Sequence, residues 1–136
     1  MSTPTDWPLV KQGEESQNVR IIQYLLRQRG RNVNVDGNYG PATADAVRGF
    51  QKDQGLAVDG EVGDQTWSKL IVEVRRGSTG DAVRAVQEYF GLTVDGDFGP
   101  KTDEAVRAFQ REWAPPDDGI VGPQTWWAIA SPHCGA

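Results

Sequence analysis

The chain has 136 residues, enough for one domain or two small ones, and its 38% hydrophobic and 24% charged composition is that of a folded globular protein. A formal net charge of -5, from 14 Lys and Arg against 19 Asp and Glu, excludes a phosphate-neutralising surface. Neither nucleic acid nor an anionic membrane is an expected partner, no apolar run approaches the roughly 20 residues of a membrane span, and one cysteine, Cys134, excludes an internal disulfide.

The opening MSTPTDWPLV has no basic region followed by an apolar core, so no secretory signal is read there. Residues 1–12 are expected to form an N-terminal extension, with Trp7 packing that end. The first helix is predicted over residues 16–28, where Val19, Ile22, Leu25 and Leu26 recur at helical spacing. RQRGRNVN follows (27–34); its three arginines read as a solvated insertion, the alternative being contact with a ligand. VDGNYGPAT (35–43) then introduces a second helix with Ala46, Val47 and Phe50 on one face. VDGEVGDQT (58–66) precedes a short third helix that begins near Gln65 and carries Trp67 and Leu70.

After RRGSTG (75–80) the series restarts. A helix over residues 81–90 leads to VDGDFGPKT (94–102), then to a helix with Ala105, Val106 and Phe109 on one face. DDGIVGPQT (117–125) precedes a last short helix with Trp126 and Ile129. Two tandem units are therefore expected, at residues 13–72 and 73–130, with a tail at 131–136. A shift of 59 residues aligns them from residue 35 onward, while the first helices align at a shift of 64, so unit one carries five extra residues within 27–34. The predicted fold class is mainly α: two small three-helix domains with tight Asp-Gly turns. The Val before each Asp in three of the copies is available for a short two-stranded ribbon.

The repeated motif reads as a helix entrance. Its Asp accepts backbone N–H groups of its own turn, and the following Gly supplies positive φ. The Tyr, Phe or Val plugs inward, and the second Gly lets the chain approach the helix. Pro41, Pro100 and Pro123 suit a first helical position. The Thr hydroxyl is expected to satisfy one of the helix's free N–H donors.

These residues resemble the type 1 peptidoglycan-binding domain, a three-helix module of cell-wall hydrolases. The likeness rests on VDGNYGPATADAVRGFQKDQGLAVDGEVGDQTW and VDGDFGPKTDEAVRAFQREWAPPDDGIVGPQTW, with NVRIIQYLL and AVRAVQEYF as the first helices and GSTGDAV as a Gly-rich turn. It implies that each unit offers a shallow groove to wall glycan or stem peptide, and that a wall hydrolase or larger assembly is a partner. The sequence departs from the pattern where GLAVDG becomes APPDDG; Pro115 and Pro116 are expected to disrupt unit two's hairpin.

A site for amino sugars wants flat aromatic rings beside amides or carboxylates in a preformed groove. The candidates are Asn38 and Tyr39 in unit one and Asp97 and Phe98 in unit two. Gln51, Gln65, Gln110 and Gln124 could serve peptide amides, against the blander reading of exposed or helix-satisfied side chains. Trp67 and Trp126 read as core; Trp127, which replaces Ser68, reads as a stacking platform or an inter-unit contact.

No enzyme is expected. The single histidine, His133, cannot build a catalytic triad or a multi-histidine zinc site. Asp36 and Asp95 hold equivalent places in different units rather than facing each other as acid and base. No cofactor or metal is expected. The tail PHCG (132–135) is similar to the cysteine segment of matrix metalloproteinase prodomains but reads as a frayed end. The expected function is non-catalytic, bivalent binding of peptidoglycan at the cell wall, by an export route the sequence does not name. The rival reading is a protein–protein adaptor that keeps the fold without sugar binding.

Overall fold

A computed structural model describes residues 7–131; the PHCG segment with Cys134 and His133 lies outside the described residues. Six helices follow in order: α1 Gln17–Gln28, α2 Pro41–Gln54, α3 Asp64–Leu70, α4 Asp81–Tyr89, α5 Pro100–Trp113 and α6 Pro123–Ala130. The mainly α reading holds, three helices to each unit.

Helix α1 starts where the Ser16 hydroxyl accepts from the Val19 N–H, a side-chain N-cap. Helices α2, α3, α5 and α6 start differently. Gly40, Gly63, Gly99 and Gly122 are N-caps with extended φ near -100° and no side-chain cap. Three of them precede a proline at the start of the helix, where the missing N–H costs nothing. A Cβ built on Gly40, Gly99 or Gly122 meets nothing within 4 Å. The expectation that this second glycine allows close approach is therefore corrected. The first glycine is the constrained one: Gly37, Gly60, Gly96 and Gly119 have φ of 79°, 73°, 79° and 76°. An arginine of the preceding helix (Arg20, Arg48, Arg84 or Arg107) lies against each of them.

The strand pairing also differs from expectation. Val10 bridges Val62 and Glu15 bridges Asn38 in unit one; Val74 bridges Val121 and Thr79 bridges Asp97 in unit two. Each lead-in segment thus pairs with the residues after an Asp-Gly turn, whereas Val58 and Val94, expected in a ribbon, are exposed. Pro115 and Pro116 do not disrupt this arrangement, because they precede the paired Val121 rather than occupying it.

Residues 7–10, expected to be an extension, pack into unit one. Trp7 stacks on Trp67 at 5.2 Å and 15°, and Trp67 Nε1 donates to Pro8 O at 2.8 Å. Unit two repeats that bond from Trp126 Nε1 to Val72 O at 2.6 Å. Both tryptophans are core.

The units share one apolar cluster, and α1 against α4 is the most extensive helix contact. Polar groups rim that seam. Glu88 accepts from Arg20 Nε at 2.5 Å and Nη2 at 2.6 Å, and from the Tyr24 hydroxyl at 3.1 Å. Gln28 Oε1 accepts from the Ala82 N–H at 3.0 Å, and Asn18 Nδ2 donates to Ala130 O at 2.9 Å. The arginines of the 27–34 segment are committed to the protein itself. Arg27 donates to Val33 O, Arg29 to the carbonyls of Lys69, Leu70 and Ile71, and Arg31 to Gly49 O and Asp53.

Candidate functional site

Each Asp-Gly turn is built around a buried glutamine. Gln51 Nε2 donates to Asp59 Oδ1 at 2.9 Å, Glu61 O at 2.8 Å and Thr66 Oγ1 at 3.0 Å, while its Oε1 accepts from the Gly60 N–H at 3.0 Å. Gln110 does the same with Asp118, Ile120, Thr125 and Gly119. Gln23 and Gln87, on α1 and α4, make the same four bonds in the first and third turns, and each also accepts from the N–H of the motif Asp. The motif Asp takes the N–H two residues on, as its own turn requires. The motif Thr does not cap its helix; its oxygen accepts from the glutamine.

This geometry corrects four of the proposed ligand contacts. Gln51 and Gln110 are 1% exposed with their amides fully engaged inside the protein. Tyr39 is 2% exposed and its hydroxyl donates to Gly60 O at 2.5 Å; burial pushes that phenol's pKa well above its ordinary value. Phe98 is 3% exposed. A ring or amide packed on all sides offers no face to a ligand. Sequence reasoning also missed Gln23 and Gln87. The signal was present: a glutamine stands eight residues before Asp59, Asp95 and Asp118, and thirteen before Asp36, the difference being the unit-one insertion.

The other candidates reach solvent. Asn38, Gln65 and Asp97 are exposed, Gln124 is half-buried, and Trp127 is half-buried against the core. They do not form one site. Gln65 lines a cleft of about 280 Å³ with Leu56, Asp59 and Glu61. Asp97 lines one of about 610 Å³ with Leu92, Asp95 and Lys101. Gln124 lines one of about 250 Å³ with Glu73, Pro115 and Asp118. All three occupy the same place in the repeat, between the end of one helix and the glycine-led start of the next. Asn38 and Trp127 lie outside these three.

The clefts are rich in hydrogen-bond acceptors. Asp95 is held below its usual carboxylate pKa, first by the Asp97 N–H and then by Gln87; Asp36, in the first turn and outside the three clefts, is held down in the same way by the Asn38 N–H and Gln23. Both carboxylates are kept charged at neutral pH, suited to receiving N–H and O–H groups rather than to delivering a proton.

Comparison with known proteins places these features. The family profile described as "Putative peptidoglycan binding domain" matches residues 15–70 and 93–129. An uncharacterized protein of Kitasatospora aureofaciens is 51% identical over 77 residues, 55% of this chain and 65% of that one. A zinc D-Ala-D-Ala carboxypeptidase of Streptomyces albus G is 36% identical over 64 residues, 45% of this chain and 25% of that enzyme. The chain thus spans less than two thirds of each relative's length. A crystal structure of a peptidoglycan-binding protein from Clostridioides difficile is 38% identical over 46% of this chain and 40% of that one, with a TM-score of 0.46. The profile covers one full unit and most of the second, Asp-Gly turns included, and the chain belongs to the peptidoglycan-binding domain family.

Proposed function

We infer that this chain binds bacterial peptidoglycan without cleaving it and holds its partners at the cell wall. One observation carries the reading: open clefts repeat beside the Asp-Gly turns that the family profile matches in both units. Wall polymer repeats amino sugars and short peptides, which together present hydroxyls, amides and charged ends. Clefts that place Gln65, Asp97 or Gln124 beside apolar walls such as Leu56, Leu92 and Pro116 suit such a polymer. Asn38 and the exposed part of Trp127 are further contacts beyond them.

Because α1 and α4 fuse the units into one core, their clefts keep a fixed relation. A second contact on the same polymer is then effectively intramolecular, and avidity can exceed single-site affinity by roughly 100-fold. Bivalence makes the chain an anchor, and bond cleavage is left to a wall hydrolase or larger assembly that acts with it. Sedimentation with purified insoluble peptidoglycan tests the reading, using wall that carries a releasable label. The chain should pellet with the wall and release no label. Protein left in the supernatant would contradict binding, and released fragments would contradict the absence of catalysis.

A further inference from the structure

The repeated clefts are not equivalent. The one beside the third turn, at about 610 Å³, is more than twice as large as those of about 280 and 250 Å³. It is also the one with both signs of charge at variable positions of the motif. Where it carries Lys101, the other three copies have Ala42, Gln65 and Gln124; where it carries Asp97, they have Asn38, Glu61 and Ile120. Neither Asp97 nor Lys101 forms an ion pair with any described residue. Asp95, in the same cleft, directs one oxygen to Gln87 and the Asp97 N–H. In unit one the residue matching Leu92 is Val33, which is buried, with Arg27 holding its carbonyl, so the matching wall is drawn inward.

An ammonium and two carboxylates lining one open cleft have no complement on a neutral sugar ring. Their complement is a group that carries an ammonium and a carboxylate together. Peptidoglycan whose stem peptides contain diaminopimelic acid offers that group at the far end of this residue's side chain, which keeps both on one carbon until it is cross-linked. We propose that the third-turn cleft takes this free amino-acid end, Asp97 receiving the ammonium and Lys101 the carboxylate, so that these two residues select uncross-linked stem peptide over bare glycan. The proposal rests on the wall-binding reading above.

Unit one supplies the fold-compatible controls, because Asn38 and Ala42 occupy the same places in a turn that folds. The test is sedimentation of the full chain, as wild type, Asp97→Asn and Lys101→Ala, with intact wall and with wall glycan stripped of peptides by an amidase. Each variant should bind intact wall about three- to five-fold more weakly, the range of a partly exposed charge contact, and the difference should fade at high salt. Stripped glycan should bind wild type more weakly than intact wall does. Free meso-diaminopimelic acid should compete, and N-acetylglucosamine oligomers should not. Undiminished binding to stripped glycan, or unchanged binding by both variants, would overturn the proposal while leaving wall binding in place. Failure of wild type to sediment with intact wall would instead overturn the wall-binding reading.

Discussion

The two glycines of each turn do different work, and single substitutions should separate them. Gly96 stands at φ 79°, and an added Cβ would come within 3.1 Å of the Arg84 guanidinium. Gly99 is an extended N-cap with open space around it. Gly96→Ala should cost roughly 1–2 kcal/mol, whereas Gly99→Ser should be neutral or slightly stabilising; urea denaturation of each variant measures the contrast. The glutamine is the more consequential residue. Gln51→Leu keeps volume but strands the Thr66 hydroxyl, Glu61 O and the Gly60 N–H and removes one of the two donors to Asp59. A loss of roughly 2–4 kcal/mol is expected from the same measurement. The Asp and first Gly were legible in the sequence because their chemistry is local and recurs at fixed spacing. The glutamine's role was not, since it depends on a helix and a turn meeting in space. An insertion alters its spacing in one copy, and an amide on a helix also suits an exposed position. Tyr39 and Phe98 were read both as inward plugs and as ligand contacts, and packing decides for the first: their burial leaves no ring face for a sugar.

At the level of elements, α1 and α4 meet through an apolar seam closed by a charged group. Arg20 first, then Tyr24, hold Glu88 below its ordinary carboxylate pKa, with burial opposing them. A carboxylate whose pKa is lower in the folded state than in the unfolded one adds stability above the unfolded value, about 4.5. That increment is lost as pH falls through the folded value. Wild type should therefore lose stability below about pH 5 more steeply than Glu88→Gln. At neutral pH the variant should be less stable by roughly 1–2 kcal/mol. Thermal melts across pH 3–7 show both effects, and parallel curves would mean that Glu88 does not tie the helices together. The sequence revealed both helices but not their contact, because apolar spacing marks a buried face without naming what covers it. It also put the start of unit one at residue 13, since Trp7 and Val10 have no local pattern and find their partners, Trp67 and Val62, 60 and 52 residues away.

For the molecule as a whole, one continuous core across two repeats has a mechanical consequence. Each unit has about 60 residues, near the lower limit for a stable core on its own. Sharing α1 and α4 should make the pair unfold as a unit. Tryptophan fluorescence and far-ultraviolet circular dichroism should give coincident denaturation curves, and two separated transitions would mean that the units are independent. The shared core fixes the clefts relative to one another, as the proposed binding of a polymer requires, and two sets of residues can be told apart. Gln23, Gln51, Gln87, Gln110, Tyr39 and Phe98 are buried and form the frame, while Gln65, Asp97, Lys101 and Gln124 line the clefts and are the residues we propose meet the polymer. Amide hydrogen exchange of the full chain with and without soluble peptidoglycan fragments tests that division most directly. Protection should rise within residues 56–66, 91–102 and 114–125 and stay unchanged along α1 and α4. Protection gained only at the 27–34 segment or along the α1–α4 seam would contradict it.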